Sequence, residues 1–223
     1  MISFIILLLY ILYTYNTPLY FDFIIWKGLN KESHNYYNFS NILYKNAINK
    51  NIFLNITISD NYYLDNIKPN TILFGHSLGG YKCLNYNNSK LFSKIVYGAT
   101  HNSYYKFKYL NKIEKDNIPT LTIIGNKDGI IPISFIADEI LYNKKNNLIN
   151  QTVSSTYNTN HLCICNNVEG KLSYVLGVKD KNLDYDVEIM LNTVSNKIID
   201  YILSIKKFYD YDYDYINNIK LYK

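Results

Sequence analysis

The segment Gly75-His76-Ser77-Leu78-Gly79-Gly80 holds a serine with a glycine two positions away on each side. A serine hydroxyl is a weak nucleophile at neutral pH, so it reacts only when the fold presents it to a base. Glycines at this spacing allow a tight turn from a strand into a helix, which holds the hydroxyl at the carboxyl end of a sheet. We predict that Ser77 is a nucleophile on such a turn.

The base must be a histidine, and the chain has four of them. His161 follows the last predicted strand, where a loop can return over the sheet toward the serine, and it is the preferred base. His101 follows the fourth predicted strand and is the competing candidate. His76 lies inside the turn itself, and His34 lies near the start of a helix, so neither is favoured.

A carboxylate must orient the base, and Asp128 is the predicted one. It lies in Gly125-Asn126-Lys127-Asp128-Gly129, directly after a predicted strand and between the serine and the preferred histidine in the chain. An ordinary Asp-Gly turn is the competing interpretation of this segment. Asp138 and Glu139 are alternative acids, but their positions inside a predicted helix suit the role less well.

Acyl transfer also needs hydrogen-bond donors for the oxyanion that forms at the carbonyl. The backbone N–H of Leu78, directly after the nucleophile, is the first candidate. The backbone N–H of Leu29, in the loop after the first predicted strand, is the second. A glycine that simply ends the strand at Gly28 explains that loop equally well.

The cysteines predict no metal site and no disulfide. Cys163 and Cys165 have the spacing Cys-x-Cys, which does not favour an ordinary bridge within the chain. The chain has no Cys-x-x-Cys pair, so zinc binding by these thiols with His161 and Cys83 is also disfavoured. We predict buried thiols, no metal and no cofactor.

Strands alternate with helices along the chain, which predicts a mostly parallel central sheet flanked by helices in three α/β layers. Ser33 is in position to cap the first helix. The predicted strands are 19–26, 52–58, 71–74, 94–97, 120–124 and 148–155, and the predicted helices are 35–49, 78–85, 104–115, 133–142 and 186–205. The last of these helices has the clearest 3.6-residue periodicity.

Composition agrees with one globular domain and excludes several other classes. The chain has 223 residues, 48% of them hydrophobic and 18% charged, with only three cysteines. Disordered and disulfide-stapled proteins are therefore excluded. The formal charge of +5 comes from lysines, without any arginine and without clustered basic runs, so no nucleic-acid partner is predicted.

Both ends of the chain differ from its middle. Met1–Leu12 is almost wholly apolar but shorter than the roughly 20 residues of a membrane span. An uncleaved signal or membrane anchor is the favoured interpretation, ahead of a buried first element and a cleavable signal peptide. The predicted division is an apolar segment at 1–17, a catalytic domain at 18–207 and a Tyr/Asp-rich solvated tail at 208–223. An edge strand and a metal-binding tract are the alternatives for the tail.

Taken together, the motifs resemble the α/β-hydrolase superfamily. The resemblance rests on the turn at 75–80, on Pro119–Asp128 with Ile130-Ile131-Pro132, and on Asn160-His161, in the family order of nucleophile, acid and base. It implies an α/β-hydrolase fold over roughly residues 19–205. The short stretch at 98–117 implies a minimal form without a large cap domain. The loop Trp26-Lys27-Gly28-Leu29-Asn30 departs from the His-Gly pair that is common in the family.

The resemblance implies the roles of nucleophile for Ser77, acid for Asp128 and general base for His161. The predicted activity is hydrolysis of small-molecule or lipid carboxylic esters, esterase- or lipase-like, through an acyl-enzyme. A thioesterase, a peptidase with the same triad and a catalytically silent binding scaffold are the alternatives. Membrane association through residues 1–13 follows from the favoured interpretation of the N-terminus, with the membrane or secretory pathway preferred to the cytoplasm. The oligomeric state is left open.

Overall fold

The computed structural model describes residues 18–101, 116–131, 133–146, 149–165 and 186–220. In these ranges the strands are β1 (Leu19–Trp26), β2 (Ile52–Ser59), β3 (Thr71–His76), β4 (Leu91–Tyr97), β5 (Asp116–Gly125) and β6 (Ile149–Thr156). The helices are a 3₁₀ helix (Ser33–Tyr36), α1 (Tyr37–Ile48), α2 (Leu78–Leu84), α3 (Ile133–Asn146) and α4 (Val187–Lys220). The predicted helix at 104–115 and the N-terminal segment at 1–17 lie outside the described residues.

All six strands run parallel, in the order β2-β1-β3-β4-β5-β6. The chain first builds outward from β1 to β2 and then returns to place β3 on the other side of β1. The order therefore reverses between β1 and β3. In open parallel sheets, ligands bind at the carboxyl ends of the strands that flank such a reversal. The residues after Trp26 and His76 lie at that position.

Side chains that alternate along the strands build a core on each face of the sheet. On one face Phe23, Phe74 and Ile123 pack in a cluster that includes the apolar sides of α1 and α4. On the other face Trp26, Leu73 and Val96 pack with residues of α2. The predicted fold class, a parallel sheet between layers of helices, is confirmed.

The structure corrects the prediction at the first helix. Ser33 does not cap this helix, because it is itself the first residue of the 3₁₀ helix. The N-cap position is occupied by Glu32, whose N–H donates to Asn35 Oδ1 at 2.9 Å.

At the other end of the chain, α4 is continuous through Lys220. The alternative of an edge strand in the Tyr/Asp-rich tail is therefore wrong, since the backbone there continues the helix. No helix in the described ranges combines the length and the apolar character needed to cross a membrane.

Candidate active site

The predicted turn at Ser77 joins β3 directly to α2 and holds the serine in an unusual backbone conformation. Ser77 has φ 53° and ψ −117°, a combination that costs a non-glycine residue about 1–3 kcal/mol. Its N–H donates to the Tyr97 carbonyl at 3.1 Å, which ties the turn to the end of β4. A Cβ on Gly75 would lie 2.5 Å from the Gly79 carbonyl oxygen, and one on Gly79 would overlap the Trp26 carbonyl. The close packing explains why both flanking positions are glycine.

His161 and Asp128 form a buried pair at the same edge of the sheet. The distance from His161 Nδ1 to Asp128 Oδ2 is 2.9 Å, and the side chains are 1% and 0% exposed. Asp128 Oδ1 accepts hydrogen bonds from the N–H groups of Ile130 and Ile131, at 2.9 and 2.7 Å. These bonds aim the second carboxylate oxygen at the imidazole. A proton on Nδ1 directed at a carboxylate leaves Nε2 as the basic nitrogen of the ring.

The other histidine candidate has a different acid. His101 Nδ1 lies 2.7 Å from Glu139 Oε1, and the His101 N–H donates to both carboxylate oxygens, at 3.0 and 2.9 Å. These side chains are 3% and 2% exposed. The structure therefore groups the candidates into two separate pairs, His161 with Asp128 and His101 with Glu139. The side chain of Asp138, the remaining alternative acid, lies outside the described residues.

Gly98 is a site residue that the sequence did not predict. It follows β4 with φ +56°, and its N–H donates to the Ile123 carbonyl at 3.1 Å. A Cβ on Gly98 would lie 2.7 Å from His161 Nδ1 and 3.0 Å from Asp128 Oδ2. The absence of a side chain here lets the imidazole and the carboxylate meet. A glycine directly after a strand was a visible signal, but nothing local tied it to His161.

We expect Gly98→Ala to lower kcat/KM for an ester substrate by about 100-fold, because the methyl group must displace the imidazole or the carboxylate. The measurement is steady-state hydrolysis together with thermal melting. Asn51→Ala is the matched control, because Asn51 has φ 59° and alanine there meets the same backbone strain at the start of β2. Equal losses in the two variants would contradict a specific role for Gly98.

The two predicted oxyanion donors lie at the ends of adjacent strands. Leu78 is the first residue of α2, and the first N–H groups of a helix have no partner within the helix. Leu29 follows β1 and is 46% exposed. The turn that carries Leu29 lies against Ser77, since a Cβ on Gly28 would be 3.3 Å from Ser77 Cβ. The Gly28 N–H is already committed to the Tyr36 hydroxyl at 2.8 Å, so Leu29 supplies the next N–H along. Both assignments stay predictions.

His76 has a structural position that the sequence interpretation overlooked. Its ring is fully buried, 5.1 Å from the His161 ring between centroids, and both of its nitrogens are within hydrogen-bond distance of other groups. Burial, followed by the charge of a protonated His161, holds the pKa of His76 well below its ordinary value. His76 is therefore neutral in the folded protein at neutral pH.

The prediction of buried thiols is confirmed. Cys83, Cys163 and Cys165 are all buried and free. Burial raises the pKa of Cys165 to about 11, so this thiol is protonated and a weak nucleophile at neutral pH. Among the residues that the structure describes, no group of three or more His, Cys, Asp or Glu side chains is arranged to hold a metal ion.

No protein-family model matches the chain, and no curated protein matches it. Among solved structures, the chain is similar to esterase PE8, with 12% identity over 66% of this chain and 87% of that one and a TM-score of 0.43. It is similar to SOBER1 of Arabidopsis thaliana, with 10% identity over 71% and 96% of the two chains and a TM-score of 0.44. A putative YdeN-like hydrolase of Pectobacterium atrosepticum has 9% identity, coverage of 65% and 80%, and a TM-score of 0.40.

These matches carry no information about the reaction or the substrate of this chain. Its fold is read from its own topology: an all-parallel sheet in the order β2-β1-β3-β4-β5-β6, helices on both faces, and a strained serine between β3 and α2. This is the α/β-hydrolase arrangement, and the predicted resemblance is confirmed at the level of the fold.

Proposed function

We propose that this chain is a serine hydrolase that cleaves carboxylic esters through an acyl-enzyme intermediate. The observation that supports the proposal most directly is the buried pair of His161 Nδ1 and Asp128 Oδ2, 2.9 Å apart. The backbone of His161 contacts the serine turn, because its carbonyl oxygen lies 2.9 Å from His76 Nε2, and the next residue, Ser77, is held in a strained strand-to-helix turn at the sheet reversal. A nucleophile, a base and an orienting carboxylate are the three groups that acyl transfer requires.

In the proposed reaction, the Ser77 hydroxyl attacks the ester carbonyl carbon while His161 Nε2 takes the hydroxyl proton. The carbonyl oxygen becomes an oxyanion, which the N–H groups of Leu78 and Leu29 stabilise. Collapse of this intermediate breaks the bond to the alcohol, which leaves with the proton from His161. Water then loses a proton to His161 and attacks the acyl-serine, and the carboxylic acid is released as the Ser77 hydroxyl is restored.

Asp128 supports each proton transfer without taking part in the covalent steps. Its Oδ2 accepts the Nδ1 hydrogen of His161, which fixes the ring in the tautomer that presents a basic Nε2. When His161 becomes an imidazolium, the carboxylate stabilises the new charge. The two backbone N–H donors on Oδ1 keep the buried carboxylate oriented.

The first test is labelling with a small fluorophosphonate, which phosphonylates serines that a base has activated and releases fluoride. We expect a single adduct, mapped by peptide mass to the segment that contains Ser77, and none on heat-denatured protein. Folded protein, verified by circular dichroism, that takes up no label and hydrolyses no short-chain p-nitrophenyl ester would contradict the proposal.

The same purified protein can be used to test which type of bond is cleaved. Matched ester, thioester and anilide substrates with one acyl group differ only in the leaving atom. The proposal requires the highest kcat/KM for the ester. A series of esters with acyl chains of increasing length would then separate small-molecule substrates from lipid substrates.

A further inference from the structure

A buried chain of hydrogen bonds connects three parts of the candidate site through two side chains that the proposed reaction does not use. The Gly28 N–H donates to the Tyr36 hydroxyl at 2.8 Å. The Tyr36 hydroxyl lies 2.8 Å from His76 Nδ1, and His76 Nε2 lies 2.9 Å from the carbonyl oxygen of His161. The chain thus joins the turn after β1, the residue before the nucleophile and the backbone of the proposed base.

The chemistry of the partners fixes the direction of every bond in this chain. The His161 carbonyl can only accept, so His76 Nε2 carries the hydrogen. Neutral His76 then has its lone pair on Nδ1 and accepts the hydrogen of the Tyr36 hydroxyl. Having donated its only hydrogen, that hydroxyl receives the Gly28 N–H on an oxygen lone pair. One proton arrangement satisfies all the bonds.

The surrounding groups keep the hydrogen-bond chain in this proton arrangement. Tyr36 and His76 are each 0% exposed, so water does not compete for their polar atoms. In addition to Tyr36 and the carbonyl, His76 faces the Cys165 thiol, 3.5 Å from Nδ1, and the rings of His161 and Tyr97, whose centroids are 5.1 and 6.1 Å from its own. The charges of His161 and Lys31 also act on it. The thiol is protonated at neutral pH, and both charges are positive when present, so they disfavour a second positive charge on His76.

The two ends of the hydrogen-bond chain are backbone groups next to proposed reacting atoms. Gly28 immediately precedes Leu29, whose N–H is a proposed oxyanion donor. The His161 carbonyl belongs to the residue whose imidazole is the proposed base. Displacements of about 1 Å in such groups cost about 100-fold in rate, so whatever holds these two backbones controls the reaction.

We propose that Tyr36 and His76 are positioning residues of the hydrolytic site: His76 holds the backbone of His161 through its carbonyl, and Tyr36 holds the Gly28-Leu29 turn while its hydroxyl donates to His76. The inference rests on the proposed function. It gives a role to His76 in the nucleophile turn, although the His76 side chain touches no reacting atom.

Two substitutions at one position separate the two bonds of the imidazole. His76→Gln puts an amide N–H near the position of Nε2 and keeps a donor for the His161 carbonyl. His76→Asn puts an amide oxygen near the position of Nδ1 and keeps an acceptor for Tyr36, but it loses the bond to His161. We expect His76→Asn to slow fluorophosphonate labelling of Ser77 by about 10- to 100-fold, and His76→Gln to restore most of the rate.

Tyr36→Phe tests the end of the hydrogen-bond chain at Gly28. We expect kcat to fall by about 10- to 100-fold with KM changed less than about threefold, because oxyanion contacts strengthen in the transition state. Tyr86→Phe is the matched control: its hydroxyl donates to the Leu64 carbonyl at 3.1 Å, outside both the hydrogen-bond chain and the turn after β1. It should stay within about twofold of the wild type in both constants.

The outcomes distinguish the inference from the function on which it rests. A wild type that is unlabelled at Ser77 overturns the proposed function. A labelled wild type together with Tyr36→Phe and His76→Asn variants of unchanged kcat overturns the inference alone, as does a loss of activity in Tyr86→Phe equal to that in Tyr36→Phe.

A spectroscopic test on the wild-type protein needs no variant and therefore applies even if the variants do not fold. In ¹⁵N-histidine-labelled protein, His76 should show the neutral Nε2–H tautomer at neutral pH. A charged His76, or one with its hydrogen on Nδ1, would refute the hydrogen-bond chain whatever the variants do.

Discussion

We expect Ser77→Ala to lower kcat for ester hydrolysis by about 10⁶-fold and to abolish fluorophosphonate labelling. The expected loss is this large because the groups of a catalytic triad act as a unit, and without the nucleophile no acyl-enzyme forms. Binding need not change, since the substitution removes one oxygen and leaves the surrounding site intact. The measurement is hydrolysis of a short-chain ester at saturating concentration, with folding checked by thermal melting.

The structure makes this variant easy to interpret. The strained backbone at Ser77, with φ 53° and ψ −117°, is as unfavourable for alanine as for serine, so the melting temperature should change little. Ser204→Ala is a suitable control because its hydroxyl donates to the Tyr201 carbonyl within α4. The control should retain wild-type kcat. Hydrolysis by Ser77→Ala at the wild-type rate would mean that another group, or a contaminating enzyme, performs the reaction.

His161→Gln is expected to lower kcat by about 10⁴- to 10⁶-fold, because the amide cannot accept the Ser77 proton as a base. Labelling by the fluorophosphonate should fall in parallel, since it depends on the same activated hydroxyl. The measurement is the rate of labelling and the value of kcat for wild type and variant at one pH above neutrality.

His101→Gln is the matched control for this prediction. Both histidines are buried with Nδ1 close to a carboxylate, at 2.9 Å from Asp128 for His161 and at 2.7 Å from Glu139 for His101. The same substitution therefore removes a similar buried pair in each case. We expect His101→Gln to affect stability, with kcat reduced by less than about tenfold. A larger loss of kcat in His101→Gln than in His161→Gln would reverse the assignment of the base.

Local patterns predicted most of the secondary structure, because the hydrophobic period and the turn residues act over a few positions. The bounds of β1 agree with the prediction, and the serine turn falls between β3 and α2 as the glycines at 75 and 79 indicate. The agreement is weaker where no residue marks an end. β4 and β5 begin a few residues earlier than predicted, at Leu91 and Asp116, since strand pairing extends them beyond the apolar run.

The α/β class, the serine turn and the pool of candidate acids and bases were determined by the sequence by itself, because each depends on residues that are close together in the chain. Which acid meets which base was decided only by the tertiary structure. The partners in the two His-carboxylate pairs are 33 and 38 residues apart, and those on either side of His76 are 40 and 85 residues away from it. No periodicity or turn preference reaches over such separations. The order of the strands brings these residues together, and it also turns Gly98 from an ordinary strand end into the space that the imidazole of His161 requires.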